Sequence, residues 1–194
     1  MKVRSDKEFP HKVVLLGDSR VGKTSLLSSQ MHKEKHLSQN PTIGCQCNDV
    51  EMFVDNQKVS IQVWDTAGQE IYRALVPIYL RDAHAAIIVY DITDMKSFKA
   101  LPEWMNTLFG IFPQNSPLFF VANKIDLEET RQVEDADGEE FARKNGGQFH
   151  RTSALSGEGI EELFKAVAKA LLQSQVTMNE QVLIPADKKK DGCC

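Results

Sequence analysis

The eight residues GDSRVGKT, Gly17 to Thr24, constrain this chain more than any other stretch. They fit the pattern G-x-x-x-x-G-K-[ST] and stand between a β-branched run, KVVLLG, and a helix-compatible stretch, KTSLLSSQM. Strand, glycine-rich turn and helix in that order form the context that a phosphate-binding loop requires. Glycines let successive backbone N–H groups wrap an anion, and the helix N-terminus adds the positive end of its dipole. The candidate cradle is Gly17, Asp18, Ser19, Arg20, Val21, Gly22, Lys23, Thr24 and Ser25. Within it Lys23 is expected to reach the β- and γ-phosphates, and the Thr24 hydroxyl to coordinate Mg²⁺. The bland alternative, a chance glycine-rich turn, does not explain the flanking strand and helix.

A loop of this kind implies a parallel sheet, and the rest of the chain has the matching rhythm. VEMFVDNQKVSIQVWD holds two alternating runs around Asp55-Asn56, which predicts a hairpin. AAIIVYDI (Ala85 to Ile92) and PLFFVANK are nearly continuous apolar runs, as expected of strands covered on both faces. GQFHRTSA reads as a last strand. Helical spacing is predicted over Ser97 to Phe112, with Pro102 marking a kink or a late start, over Val133 to Lys144, and over GIEELFKAVAKALL. The expected fold class is α/β: a mostly parallel six-stranded sheet, one antiparallel edge strand, and helices on both faces. The expected domains are residues 1–173 as the folded unit and 174–194 as a flexible polar tail.

Bulk properties exclude other classes. At 194 residues the chain suits one domain with a full core, and its net charge of -4 speaks against bulk nucleic-acid binding. No apolar run is long enough to span a bilayer, and MKVRSDKEFP lacks the apolar centre of a signal peptide. The expectation is a cytosolic chain. Lys2 stands where N-myristoylation requires glycine. In a reducing compartment, the four cysteines argue against a disulfide framework, and their spacing matches no usual zinc pattern.

Two further motifs narrow the chemistry. WDTAGQE closes a strand at Trp64 to Glu70. There Asp65 can hold Mg²⁺ through water, the Gly68 N–H can meet the γ-phosphate, and Gln69 can orient an attacking water. NKID, Asn123 to Asp126, follows a strand at the same edge of the sheet. The Asp126 carboxylate can accept from guanine N1–H and its exocyclic amine, a donor pair that adenine lacks. Either stretch alone reads equally as a loop acid or a surface turn; in this order and strand context both point to guanine nucleotides.

From about His11 to Gln173 the chain resembles the small GTPases, and the Rab family in particular. TSA at Thr152 to Ala154 is similar to the base-binding motif in which the Ala154 N–H meets guanine O6, with Ser153 and Leu155 beside it. PTIG matches switch I, so Thr42 is expected to bind Mg²⁺ and the γ-phosphate in the GTP state. The resemblance implies a G domain of the P-loop NTPase fold and a switch that binds GTP and GDP and hydrolyses GTP slowly in vesicle traffic. Lys23, Thr42 and Gln69 would be its catalytic residues, Asn123 and Lys124 would hold the base with Asp126, and Mg²⁺ would be the cofactor. The implied partners are an exchange factor, a GTPase-activating protein, effectors at switches I and II, a GDP-dissociation inhibitor (GDI) and a Rab escort protein. A monomer is expected, with no nucleic acid. LVPIYLRDAHAAIIVYDIT looks closest to the Golgi-associated branch, and the implied location is the cytoplasmic face of a Golgi or endosomal membrane.

The chain also departs from that pattern. Lys35 stands where an aromatic usually packs on the guanine, Arg20 where small residues are usual, and Cys47 where an aromatic usually joins Trp64 and Tyr79 in an effector-reading cluster. Cys45 and Cys47 should share a strand face, and two small hydrophobes explain them more simply than redox or metal chemistry. These departures keep open a GTP-binding scaffold that scarcely cycles; a third reading, a P-loop kinase or ATPase that ATP would occupy, is opposed by NKID. The ending KKKDGCC is similar to a Rab prenylation signal, with Cys193 and Cys194 as the lipidated pair.

Overall fold

The computed structural model describes residues 10–32, 45–66 and 76–182, apart from the side chains of His32 and of 175–182. The elements run β1 (His11–Leu16), α1 (Lys23–His32), β2 (Cys45–Val54), β3 (Gln57–Thr66), α2 (Val76–Leu80), β4 (Ala85–Asp91), α3 (Met95–Lys99), α4 (Leu101–Leu108), β5 (Leu118–Asn123), a 3-10 segment (Ile125–Thr130), α5 (Asp135–Lys144), β6 (Gln148–Thr152) and α6 (Ile160–Val182).

The six strands form one sheet in the order β2-β3-β1-β4-β5-β6. Every neighbouring pair is parallel except β2 and β3, which run antiparallel from Cys45 opposite Thr66 to Val54 opposite Gln57. Asp55 and Asn56 turn that hairpin with φ of 49° and 64°. A two-residue turn with both φ positive matches the right-handed twist of the strands, and Asp and Asn tolerate that region.

Strand alternation sorts the core into two layers. Val13 and Leu15 join Val63, Ile87, Phe119 and Phe164 on the side of α1 and α6. Their neighbours Val14 and Leu16 join Ile88, Tyr90, Trp104 and Ala142 on the side of α2, α4 and α5. A period of two along β1 thus supplies both layers. β4, covered on both faces, is buried along its whole length.

Two elements differ from the sequence reading. The single helix expected over Ser97 to Phe112 is two, divided at Ala100, which ends α3 and begins α4. Pro102 falls in the first turn of α4, where its missing N–H breaks no helical bond. α4 stops at Leu108 because Phe109 is extended (ψ 127°) and Gly110 follows with φ of 81°. At the other end α6 runs to Val182, nine residues past the boundary expected at Gln173. Residues 174–182 contain no glycine or proline to interrupt it.

Candidate functional site

The parallel strands β1, β3, β4, β5 and β6 end along one rim, the edge at which open α/β sheets bind ligands. β1 delivers Gly17 there. Its φ is 135°, and a Cβ on it would collide with the Val89 carbonyl oxygen of β4. Only glycine fits so close to the neighbouring strand. Gly22, at φ 96°, is equally restricted: a Cβ would strike the carboxamide nitrogen of Asn123. The glycine of one motif therefore makes room for the asparagine of another, about a hundred residues away.

Lys23 opens α1, and its Nζ donates to the carbonyl oxygens of Gly17 and Asp18, both at 2.7 Å. The residue is 6% exposed. Burial pushes its pKa down to about 8, against the charges of Asp65 and Asp18, which raise it. A buried ammonium among carbonyl oxygens is suited to an anionic ligand. Beside it the Thr24 hydroxyl donates to Asp65 Oδ2 at 2.5 Å, joining α1 to the end of β3. Asp65 is fully buried. Hydroxyl and carboxylate are hard oxygen donors of the type Mg²⁺ takes alongside phosphate oxygens, so the residues present fit that ion.

Ser19 and Arg20 are exposed, while Val21 and Ser25 turn inward to differing degrees. Arg20 adopts φ of 67°, a conformation that favours glycine. Its side chain is exposed to solvent.

β5 ends in fully buried Asn123. Its Nδ2 donates to Val21 O at 2.8 Å, and its Oδ1 accepts from Thr152 Oγ1 at 3.0 Å. One side chain therefore ties the phosphate loop, β5 and β6 together. Lys124 follows in a left-handed conformation (φ 68°), and its Nζ pairs with Asp91 Oδ2 at 2.5 Å. Asp126 is exposed, and its Oδ1 accepts from Ser153 Oγ at 2.5 Å. Ser153 Oγ also accepts from the Ser156 N–H, so the TSA loop and NKID are stitched side by side. Ala154 is buried, and Leu155 is 42% exposed beside it.

Thr42, Gly68 and Gln69 lie outside the described residues, as do Lys35, His36, Cys193 and Cys194. Three contributors escaped the sequence reading. Asp91, the partner of Lys124, was detectable as an acid at the C-terminal end of an otherwise apolar strand. Thr152 was noticed only as part of TSA. Trp104, read as a core residue, donates its indole N–H to Asp18 Oδ1 at 2.9 Å, and nothing in the sequence signalled that.

Beside the end of β3, Cys47 stands opposite Trp64 in the β2–β3 register, and the Trp64 and Tyr79 rings are 5.8 Å apart. Lys12 Nζ lies 4.7 Å from the centre of the Trp64 ring and donates to Arg81 O at 2.7 Å. Burial pushes the Cys45 thiol up to about 12, reinforced by Asp65, and raises Cys47 as well. Both therefore stay protonated at neutral pH, unlike reactive thiolates. Among the described residues no group of three or more histidines, cysteines and acids could hold a metal by itself.

The sequence family described as the Ras family matches residues 12–173. "Ras-related protein RABA4d" of Arabidopsis thaliana is 34% identical over 207 residues, covering 96% of this chain and 93% of the relative. "Ras-related protein Rab11D" of Nicotiana tabacum is 36% identical over 185 residues, covering 95% and 82%. "Ras-related protein Rab11C" of the same plant is 39% identical over 160 residues, covering 82% and 72%. A six-stranded sheet with one antiparallel pair, the assembled phosphate and base motifs and these matches agree, and the chain belongs to the Ras family as a Rab-related small GTPase.

Proposed function

We propose that this protein is a Mg²⁺-dependent guanine-nucleotide switch of membrane traffic, acting on the cytoplasmic face of a Golgi or endosomal membrane. The Asn123 bridge carries the reading, because it joins the phosphate loop through Val21 to the base-facing strands β5 and β6. In this account Lys23 and the amides of Gly17 to Ser25 hold the phosphates. Thr24, Thr42 and, through water, Asp65 would hold Mg²⁺, which would neutralise charge on the phosphates when bound. Gly68 meets the γ-phosphate, and Gln69 orients the water that attacks it. Asp126, positioned by Ser153, reads guanine. Lys124 lies along the ring, Leu155 covers its other side, and the Ala154 N–H meets O6.

Few charges in the described site are available to stabilise the transition state, so intrinsic turnover is slow and a GTPase-activating protein supplies the rest. The regulators are an exchange factor, that activator, a GDP-dissociation inhibitor and a Rab escort protein. Effectors read switches I and II beside Trp64, Tyr79 and Cys47. Prenyl groups on Cys193 and Cys194 anchor the monomeric folded unit to the membrane. No nucleic acid is involved.

The test is displacement of fluorescent GDP, followed by single-turnover hydrolysis. GTP should displace the probe and ATP should not. Gln69→Leu should slow hydrolysis on the order of tenfold or more, with or without activator. Displacement by ATP, or hydrolysis indifferent to Gln69, would remove the reading.

A further inference from the structure

We infer that Trp104 is a positioning residue for the nucleotide: from inside the core its indole N–H holds the Asp18 carboxylate away from the amides that receive the phosphates. The inference rests on the guanine-nucleotide reading above. Asp18 is the second residue of the Gly17–Thr24 loop, and both its backbone and its side chain are held. Its backbone carbonyl accepts from Lys23 Nζ, and its Oδ1 accepts from Trp104 Nε1 at 2.9 Å. Trp104 is 1% exposed and packs with Val14 and Leu16 of β1, the strand that leads into the loop. It is therefore a fixed donor, not a surface side chain that happens to reach.

The physical need is specific. An aspartate in a glycine-rich turn ordinarily hydrogen-bonds backbone N–H groups a residue or two ahead. Here those N–H groups are the phosphate cradle, so a carboxylate folded back on them would occupy the ligand's donors with a like charge. An indole donates one hydrogen bond and accepts none, so it can hold the carboxylate without offering it a further exchange. The hydrogen bond thus links α4 to the loop across 86 residues of sequence.

The experiment measures release of fluorescent GDP from the full chain in Mg²⁺ for wild type, Trp104→Phe, Asp18→Ala, the double variant and Leu108→Ala. Trp104→Phe keeps an aromatic body and removes the donor, and release should accelerate on the order of tenfold. In the Asp18→Ala background, where no carboxylate is left to restrain, adding Trp104→Phe should change nothing further. Leu108→Ala, in the same helix and the same core layer, should lower the melting temperature and leave release unchanged. Release from Trp104→Phe at the wild-type rate would overturn the inference. So would an effect that persists without Asp18, or one that Leu108→Ala reproduces, since either marks loosened packing. If Trp104→Phe does not fold, the Trp104 indole proton, assigned against Trp64→Phe, gives a second measurement. It should shift on Asp18→Ala, and an unmoved signal would be equally fatal. A wild-type chain that binds no GDP removes the nucleotide reading and this inference together; GDP binding unaffected by Trp104→Phe removes the inference alone.

Discussion

Arg20 holds φ of 67° without a glycine's freedom, in a loop whose neighbours Gly17 and Gly22 both have positive φ. For a residue with a Cβ that conformation costs about 1–2 kcal/mol, partly offset by the extra entropy a glycine loses on folding. Arg20→Gly should therefore raise stability by about 0.5–1 kcal/mol, read as a higher urea midpoint with an unchanged slope. A lower midpoint would mean that the guanidinium contributes more than its backbone costs. The place of this loop between β1 and α1 was legible in sequence because strand, glycine-rich turn and helix are written in consecutive letters. Lys124 and Asp91 were not legible as a pair. Their ion pair depends on two strands ending side by side, which local spacing does not encode.

At the scale of elements, β6 carries a pH dependence. His150 sits against Phe119 with ring centres 5.8 Å apart, and its Nε2 is buried with no hydrogen-bond partner among the described residues. Burial lowers its pKa below the ordinary 6.5, so the folded chain keeps it neutral where the unfolded chain already binds a proton. The unfolded state then takes up more protons, and stability falls as pH drops through 6.5 toward the folded value. Urea midpoints taken on either side of 6.5 should show this decline, and His150→Gln should flatten it; an equal slope in the variant would assign the decline to other groups. The elements themselves were partly legible. Apolar runs and the Asp55-Asn56 turn located all six strands, whereas α2 and the 3-10 segment Ile125–Thr130 are too short to show a helical period. The break at Ala100 is a matter of how α3 and α4 each dock, which Pro102 only hinted at.

For the molecule as a whole, the two core layers share one sheet, so damage to either should be felt throughout. Phe164 of α6 is fully buried in the layer that also holds Val13 and Leu15 of β1 and Leu26 of α1. Phe164→Ala should cost about 3–5 kcal/mol in a denaturant titration. A loss below about 1 kcal/mol would mean that α6 docks independently of the sheet. At the membrane, Cys193→Ser with Cys194→Ser should leave the chain in the soluble fraction of a cell extract; persistent sedimentation with membranes would remove lipidation from the proposal.

Under the proposed lipidation of Cys193 and Cys194, the length of α6 also limits where the body can work. Had the helix ended at Gln173, the remaining 21 residues could span at most about 70 Å. Because it continues to Val182, the reach to the proposed anchor is left to residues 183–194, which can span at most about 40 Å. The added turns shorten the leash and move its attachment point outward from the sheet. A body held in that proposed way can pivot over a patch of bilayer but cannot stray far from it, so its partners would meet it close to that surface.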